Sequence, residues 1–119
     1  MIKRGEVYLM NFGKQYNSEF GKVRPALIIQ NNIANRALEK VYFKGVTVIP
    51  MTTQLTIAPD IRVRIEARDN LDKTSDICIN ELCTLDITRI DLTQKLTQLS
   101  HEEMTLIEQK LCRHLGVLN

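Results

Sequence analysis

The chain has no tryptophan, only two histidines and an odd three cysteines among its 119 residues. Each shortage removes a class of chemistry. His101 and His114 lie 13 residues apart in a C-terminal segment that reads as one helix. At about 1.5 Å rise per residue they stand roughly 20 Å apart, so one chain cannot bring both to a single phosphate as an acid–base pair. Cys78 and Cys83 are five apart, with no second cysteine pair or nearby histidine to complete a zinc site. The three thiols are expected to be reduced and mostly buried. Carboxylates do not gather as metal ligands. There is no glycine-rich phosphate loop, no G-x-S-x-G elbow and no H-E-x-x-H motif. An enzyme built on this chain is expected to work without metal, cofactor or histidine. No apolar run reaches the about 18 residues of a membrane span, and the basic start MIKRGEVYLMNF lacks a signal peptide's apolar stretch. A cytoplasmic protein is expected.

What is present describes a foldable chain. Hydrophobic residues are 44% and charged residues 25%, near the average of globular proteins, which argues against disorder. The length suits one domain, residues 1–119. A net charge of +2 permits an anionic partner without demanding one.

The segments GEVYLMNF (5–12), VRPALIIQ (23–30) and VYFKGVTVIPM (41–51) read as strands, the last with Gly45 as a candidate bulge. Residues 13–22 form a loop longer than a tight hairpin needs, which marks a working loop. NNIANRALEK is polar, with room for one helical turn. In IRVRIE (61–66), Ile61, Val63 and Ile65 alternate with Arg62, Arg64 and Glu66, a strand with one wet face. DICINELCTLDI holds one or two strands and KLTQL a last short one. Ser100 and Glu103 form a capping box before Met104, Ile107, Leu111 and Leu115 at helical spacing, and Gly116 closes the helix. Five to seven short strands and a C-terminal helix describe a small, mostly antiparallel β-barrel, α+β in class.

Two features carry chemistry. Arg24 opens an apolar strand, and Pro25 fixes the backbone behind it. Arginine is rarely buried unpaired and proline cannot donate to a ladder. Arg24 is therefore either a surface charge at a strand start or a guanidinium that the strand exists to hold. Thr52 and Thr53 end the apolar strand VTVI and precede a loop. An arginine fork and strand-end hydroxyls suit a phosphate and the extra charge of a pentacoordinate phosphorus. Two threonines in a β-protein are equally ordinary strand formers, and composition alone leaves both readings open.

The segments RGEVYLMNF, NSEFGKVRPALIIQNN and VTVIPMTTQL resemble, in order and spacing, the MazF/PemK (Kid) family of toxin endoribonucleases. Its pattern runs R-G-(D/E)-(I/V), then S-E-x-x-x-x-R-P and an apolar strand, then T-(T/S/A)-Q. The likeness spans nearly the whole chain. It implies an SH3-like barrel, a homodimer, and metal-free cutting of single-stranded RNA, commonly mRNA, at short sequences. The ribose 2′-OH attacks, leaving a cyclic phosphate and a 5′-OH. Carried over, the R-P arginine is Arg24, which would bind the scissile phosphate and stabilise the transition state. The first threonine of T-x-Q is Thr52, hydrogen-bonded to the phosphate or the attacking hydroxyl. The S-E glutamate is Glu19, which would orient an RNA group or help take the proton. Ser18, Lys22, Thr53, Gln54, Glu81 and Arg4 are expected among the RNA contacts. An antitoxin with an acidic, partly disordered segment is the expected partner, offering carboxylates in place of phosphates.

The chain departs from the pattern after residue 77. Cys83 stands where relatives often have an arginine. Cys78 and Asn80 stand where Kid-like relatives have an arginine and an aspartate, so a Kid-like catalytic set does not carry over. Two other readings stay open: a gyrase-binding toxin resembling CcdB, and a barrel that binds RNA without cutting it. CcdB-like toxins lack the R-P and T-T-Q pair and typically end in a tryptophan-bearing tail; this chain ends GVLN.

Overall fold

The computed structural model describes residues 1–14 and 22–117. Among the described residues there are seven strands: β1 (Glu6–Asn11), β2 (Val23–Ile28), β3 (Gly45–Thr52), β4 (Arg62–Ile65), β5 (Ser75–Cys78), β6 (Cys83–Asp86) and β7 (Thr97–Gln98). A short helix α1 (Asn32–Ala37) follows β2, and α2 (His101–Leu115) closes the chain. All pairings are antiparallel, in the order β4-β5-β3-β2-β1-β7, with β6 also on β3. The result is a mostly antiparallel half-barrel with a C-terminal helix, the expected class.

The strands are apolar on both faces because the sheet has a core on each side. Val7, Leu27, Ile49, Met51 and Ile77 pack with Met104 and Ile107 of α2. Tyr8, Met10, Ala26, Ile28, Val46 and Val48 form a second cluster on the opposite face with Ile2 and Ile90. Residues that neighbour each other in a strand thus enter different cores, as the two-residue period requires.

Proline placement follows from partner changes. β3 pairs with β6 through Val48 and with β5 from Met51. Pro50, which has no N–H to donate, sits between the two ladders. Its partner on β2 is Ala26, and Pro25 lies just beyond that ladder's last pair.

The strand expected over 41–51 begins only at Gly45; Val41, Tyr42 and Phe43 are exposed and unpaired in the sheet. Gly45 is no bulge. Its register with β6 is continuous from Gly45–Asp86, and a Cβ there would meet the exposed Phe43 ring and Thr84 Cγ2 at under 3 Å, so these side chains lie close over the glycine. The capping box is formed: Glu103 N–H donates to Ser100 Oγ (3.1 Å) and Ser100 N–H to Glu103 Oε1 (2.8 Å). Arg68 grips the same carboxylate bidentately at 2.7 and 2.8 Å, tying the 67–74 loop to the start of α2. Gly116 ends the helix at φ +72°, and Val117 N–H donates to the Cys112 carbonyl.

Candidate active site

Antiparallel partners point their side chains to the same face of a sheet. Met10 pairs with Arg24, Thr52 with Asp76, and Asp76 with Arg64. The β2–β3 register runs Ile28–Val48, Leu27–Ile49, Ala26–Pro50. That ladder ends at Ala26–Pro50, and Arg24 and Thr52 each lie two residues past it, on the face of Ala26 and Pro50. Met10 and Arg24 from one ladder, and Thr52, Asp76 and Arg64 from another, thus form a row of side chains along that face at the strand ends. Beside it lie Tyr8, Ala26 and Pro50 from one set of pairs and Cys78 and Arg62 from another. The second core lies on this same face, so the polar row is its continuation at the end of β2 and β3.

Each member is held differently. Arg24 is half-buried, with Pro25 and a fully buried Ala26-Leu27-Ile28 behind it. Thr52 is buried, and its Oγ1 accepts from Gln54 N–H at 3.2 Å. That bond turns the chain out of β3 and leaves the hydroxyl proton with no described acceptor. Asp76 is 1% exposed. Its carboxylate accepts from Arg64 Nε (3.0 Å), Arg64 Nη2 (3.5 Å), Arg62 Nη1 (3.3 Å) and Thr56 N–H (3.0 Å). Burial favours the neutral acid, but the Arg64 and Thr56 hydrogen bonds and the two arginine charges outweigh it, holding Asp76 below the usual carboxylate range.

Cys78 lies amid these charges. Burial pushes its thiol up to about 11; Asp76 and Glu81 add to this, while Arg62 and Arg24 oppose it. The thiol is therefore protonated at neutral pH and no nucleophile. Cys83 is raised too, by burial and then by Glu81. Glu81, half-buried in the short turn after β5, thus faces the same group of side chains.

The remaining expected contacts divide. Thr53 and Gln54 are exposed directly after Thr52, and the Gln54 carbonyl accepts from Arg62 Nη1 at 3.2 Å. Thr53 borders a cleft of about 440 Å³ with Pro25, Asn70, Lys73 and Gln94. Lys22 is exposed at φ +65°, and its carbonyl accepts from Phe12 N–H just before β2. Ser18 and Glu19 lie outside the described residues. Arg4 is not brought to the row. It donates through Nε to the Ile29 carbonyl (2.9 Å) and through Nη1 to Glu108 of α2 (2.7 Å). Ile29 is five residues along from Arg24, roughly 16 Å at a strand's rise. His101 and His114 are exposed on α2. Among the described residues no group of three or more histidine, cysteine or acidic side chains is placed to hold a metal ion.

Sequence reasoning missed Arg62, Arg64 and Asp76 as a unit. The arginines read as a wet strand face and Asp76 as part of an apolar strand. Only the β4–β5 register joins them.

Solved structures share the fold. A mycobacterial endoribonuclease, solved with its cognate antitoxin, aligns at TM-score 0.74 with 23% identity over 100% of this chain and 99% of its own. MazF of Deinococcus radiodurans aligns at TM-score 0.78 with 20% identity over 98% and 97%. A MazE–MazF structure from the same organism aligns at 0.73 with 20% identity over 98% and 97%. The sequence profile of the PemK-like, MazF-like toxins of type II toxin–antitoxin systems matches residues 3–115, and the chain belongs to that family.

Proposed function

We propose that this toxin is a metal-independent endoribonuclease that cuts single-stranded RNA, mRNA above all, at a short sequence. The observation that supports the reading is that Arg24 and Thr52 lie on one face of the sheet, each two residues past the Ala26–Pro50 pair that ends the β2–β3 ladder. A phosphodiester laid across these two residues would meet a guanidinium and a buried hydroxyl. The 2′-OH of the preceding ribose attacks phosphorus, its proton leaves, and the 5′-oxygen departs and is protonated. The products are a cyclic phosphate and a 5′-OH. Arg24 stabilises the charge that builds on the non-bridging oxygens, and Thr52 donates to one of them. Glu19 is the proposed proton acceptor. The internal nucleophile removes the need for a metal to activate water. The one carboxylate of the row, Asp76, is engaged by two arginines rather than offered to a cation.

Single strands suit such a site because their base edges are open to be read. Related MazF proteins have been solved with MazE, which supports an antitoxin whose acidic, partly disordered segment competes for the same arginines. A homodimer acting in the cytoplasm completes the proposal. No helix among the described residues is long and apolar enough to cross a membrane.

The test is incubation of antitoxin-free protein with a long unstructured RNA in EDTA, followed by mapping of 5′ ends. Cuts at one recurring short sequence with 5′-OH ends are expected. Loss of cutting on chelation, restored by magnesium, would contradict the metal-free step. No cutting by folded protein would shift the reading to a binding toxin.

A further inference from the structure

We propose that Arg62 and Arg64, clamped by Asp76, form a second phosphate subsite for the RNA, two strands along the sheet from Thr52. This rests on the endoribonuclease reading and adds to it a contact to a phosphate other than the scissile one.

Three observations carry it. First, the guanidiniums share a face with the candidate site. Arg64 continues the Thr52–Asp76 pairing, and Arg62, opposite Cys78, lies beside it on the same face. Thr52 and Arg64 are separated by β5, hence by two interstrand spacings of about 4.8 Å, or roughly 10 Å. Second, the pair is positioned but not used up. Each arginine has five N–H donors. Among the described residues, Arg64 spends Nε and Nη2 on Asp76, leaving both protons of Nη1. Arg62 spends Nη1 on Asp76 and the Gln54 carbonyl, leaving Nε and Nη2. Third, Arg62 and Arg64 line a surface cleft of about 210 Å³ together with Thr56, Ile57 and Pro59 of the 53–61 loop.

One buried carboxylate between two guanidiniums leaves the trio at +1. Glu66, the other carboxylate acting on Arg64, is exposed and accepts from Thr74 Oγ1 at 3.1 Å. A structural ion pair alone needs only one arginine for Asp76. A second, with its side chain 42% exposed and its fork already ordered, is an anion site whose side-chain entropy is already spent. The 53–61 loop bonds to the same trio through Thr56 N–H and the Gln54 carbonyl. RNA seated there would therefore order the loop that follows Thr52.

Arg64→Gln tests this, since its exposed head group can be changed without emptying the core. The probe is an RNA oligonucleotide carrying the mapped cut sequence with a 2′-deoxy sugar at the cut, which binds but cannot react. Binding to Arg64→Gln is expected to weaken about tenfold at roughly 0.1 M salt. The slope of log affinity against log salt should shrink by about 0.7, one phosphate contact on a single strand. Arg64→Lys should restore the slope but only part of the affinity, and it serves as the test if the glutamine variant does not fold. Wild type that cuts RNA while both variants bind with unchanged affinity and slope overturns the subsite alone. Unchanged RNA binding with weakened binding of an acidic antitoxin peptide overturns it in favour of a protein contact. Wild type that cuts no RNA overturns the enzyme reading beneath it.

Discussion

Pro25 explains why Arg24 can open a buried strand. The ring fixes φ, and the missing N–H falls past the last β2–β3 pair, where no ladder bond is lost. Arg24 then inherits the rigidity of Ala26-Leu27-Ile28, all with no exposed surface. That much was legible in the sequence, because Arg-Pro before an apolar run is a local signal. The placement of Arg4 was not. Its partner Glu108 is 104 residues away on α2, and no local pattern reports such a pair.

Asp76 gives the residue-scale prediction. Removing it leaves two guanidiniums and the Thr56 N–H without their acceptor, with Arg62 only 20% exposed. Because Arg64 reaches solvent, the cost is expected at about 2 kcal/mol rather than the full penalty of a buried pair. Asp76→Ala should therefore lower the Tm by roughly 8 °C. The pH dependence has a definite sign. The folded-state pKa of Asp76 is depressed below its ordinary 3.8. Its contribution is therefore fully present above pH 3.8 and is lost as pH falls through the lower folded value. The stability gap between wild type and Asp76→Asn should be constant from pH 7 down to about 4 and close below that. A gap that narrows between pH 5 and 7 would show that another group is responsible.

At the scale of elements, α2 and the strand edges were readable because each has a local cause. A capping box, helical spacing of Met104 and Ile107, and a glycine stop all lie within 17 residues. Ser100→Ala should cost about 1 kcal/mol by chemical denaturation, since it removes the acceptor of the Glu103 N–H. Glu103 would keep its Arg68 bond, so the helix should remain folded. Strand β3 was read too long at its start because Val41, Tyr42 and Phe43 have high strand propensity. What decides is pairing, and the β6 partner begins only at Gly45 opposite Asp86. The Arg62–Asp76–Arg64 cluster escaped for the opposite reason. Alternation in IRVRIE correctly separated Val63 and Ile65 from Arg64, but a period of two cannot say what the polar face meets. That depends on the register with a strand 12 to 14 residues on.

On the scale of the molecule, the sheet separates two tasks. One face packs on α2 and holds the fold. The other begins as a second core and ends as a polar row. The proposed site occupies the end of a face whose middle is fully buried, so the side chains of the row rest on packed strands rather than on loops. This also explains why site variants can be expected to fold. Arg24→Ala removes a half-buried side chain at a strand end and should leave the Tm within a few degrees of wild type. RNA cleavage should fall by at least about two orders of magnitude, as loss of a charge-stabilising donor does.

The most direct measurement of the central claim uses a short DNA oligonucleotide with a single ribose at the mapped cut position, incubated in EDTA with wild type and with Arg24→Ala. The account predicts cutting by wild type only 3′ of that ribose, with a 5′-OH end, about a hundredfold less cutting by the variant, and none when the ribose is replaced by deoxyribose. Cutting of the all-deoxy strand, or equal cutting by Arg24→Ala, would contradict it.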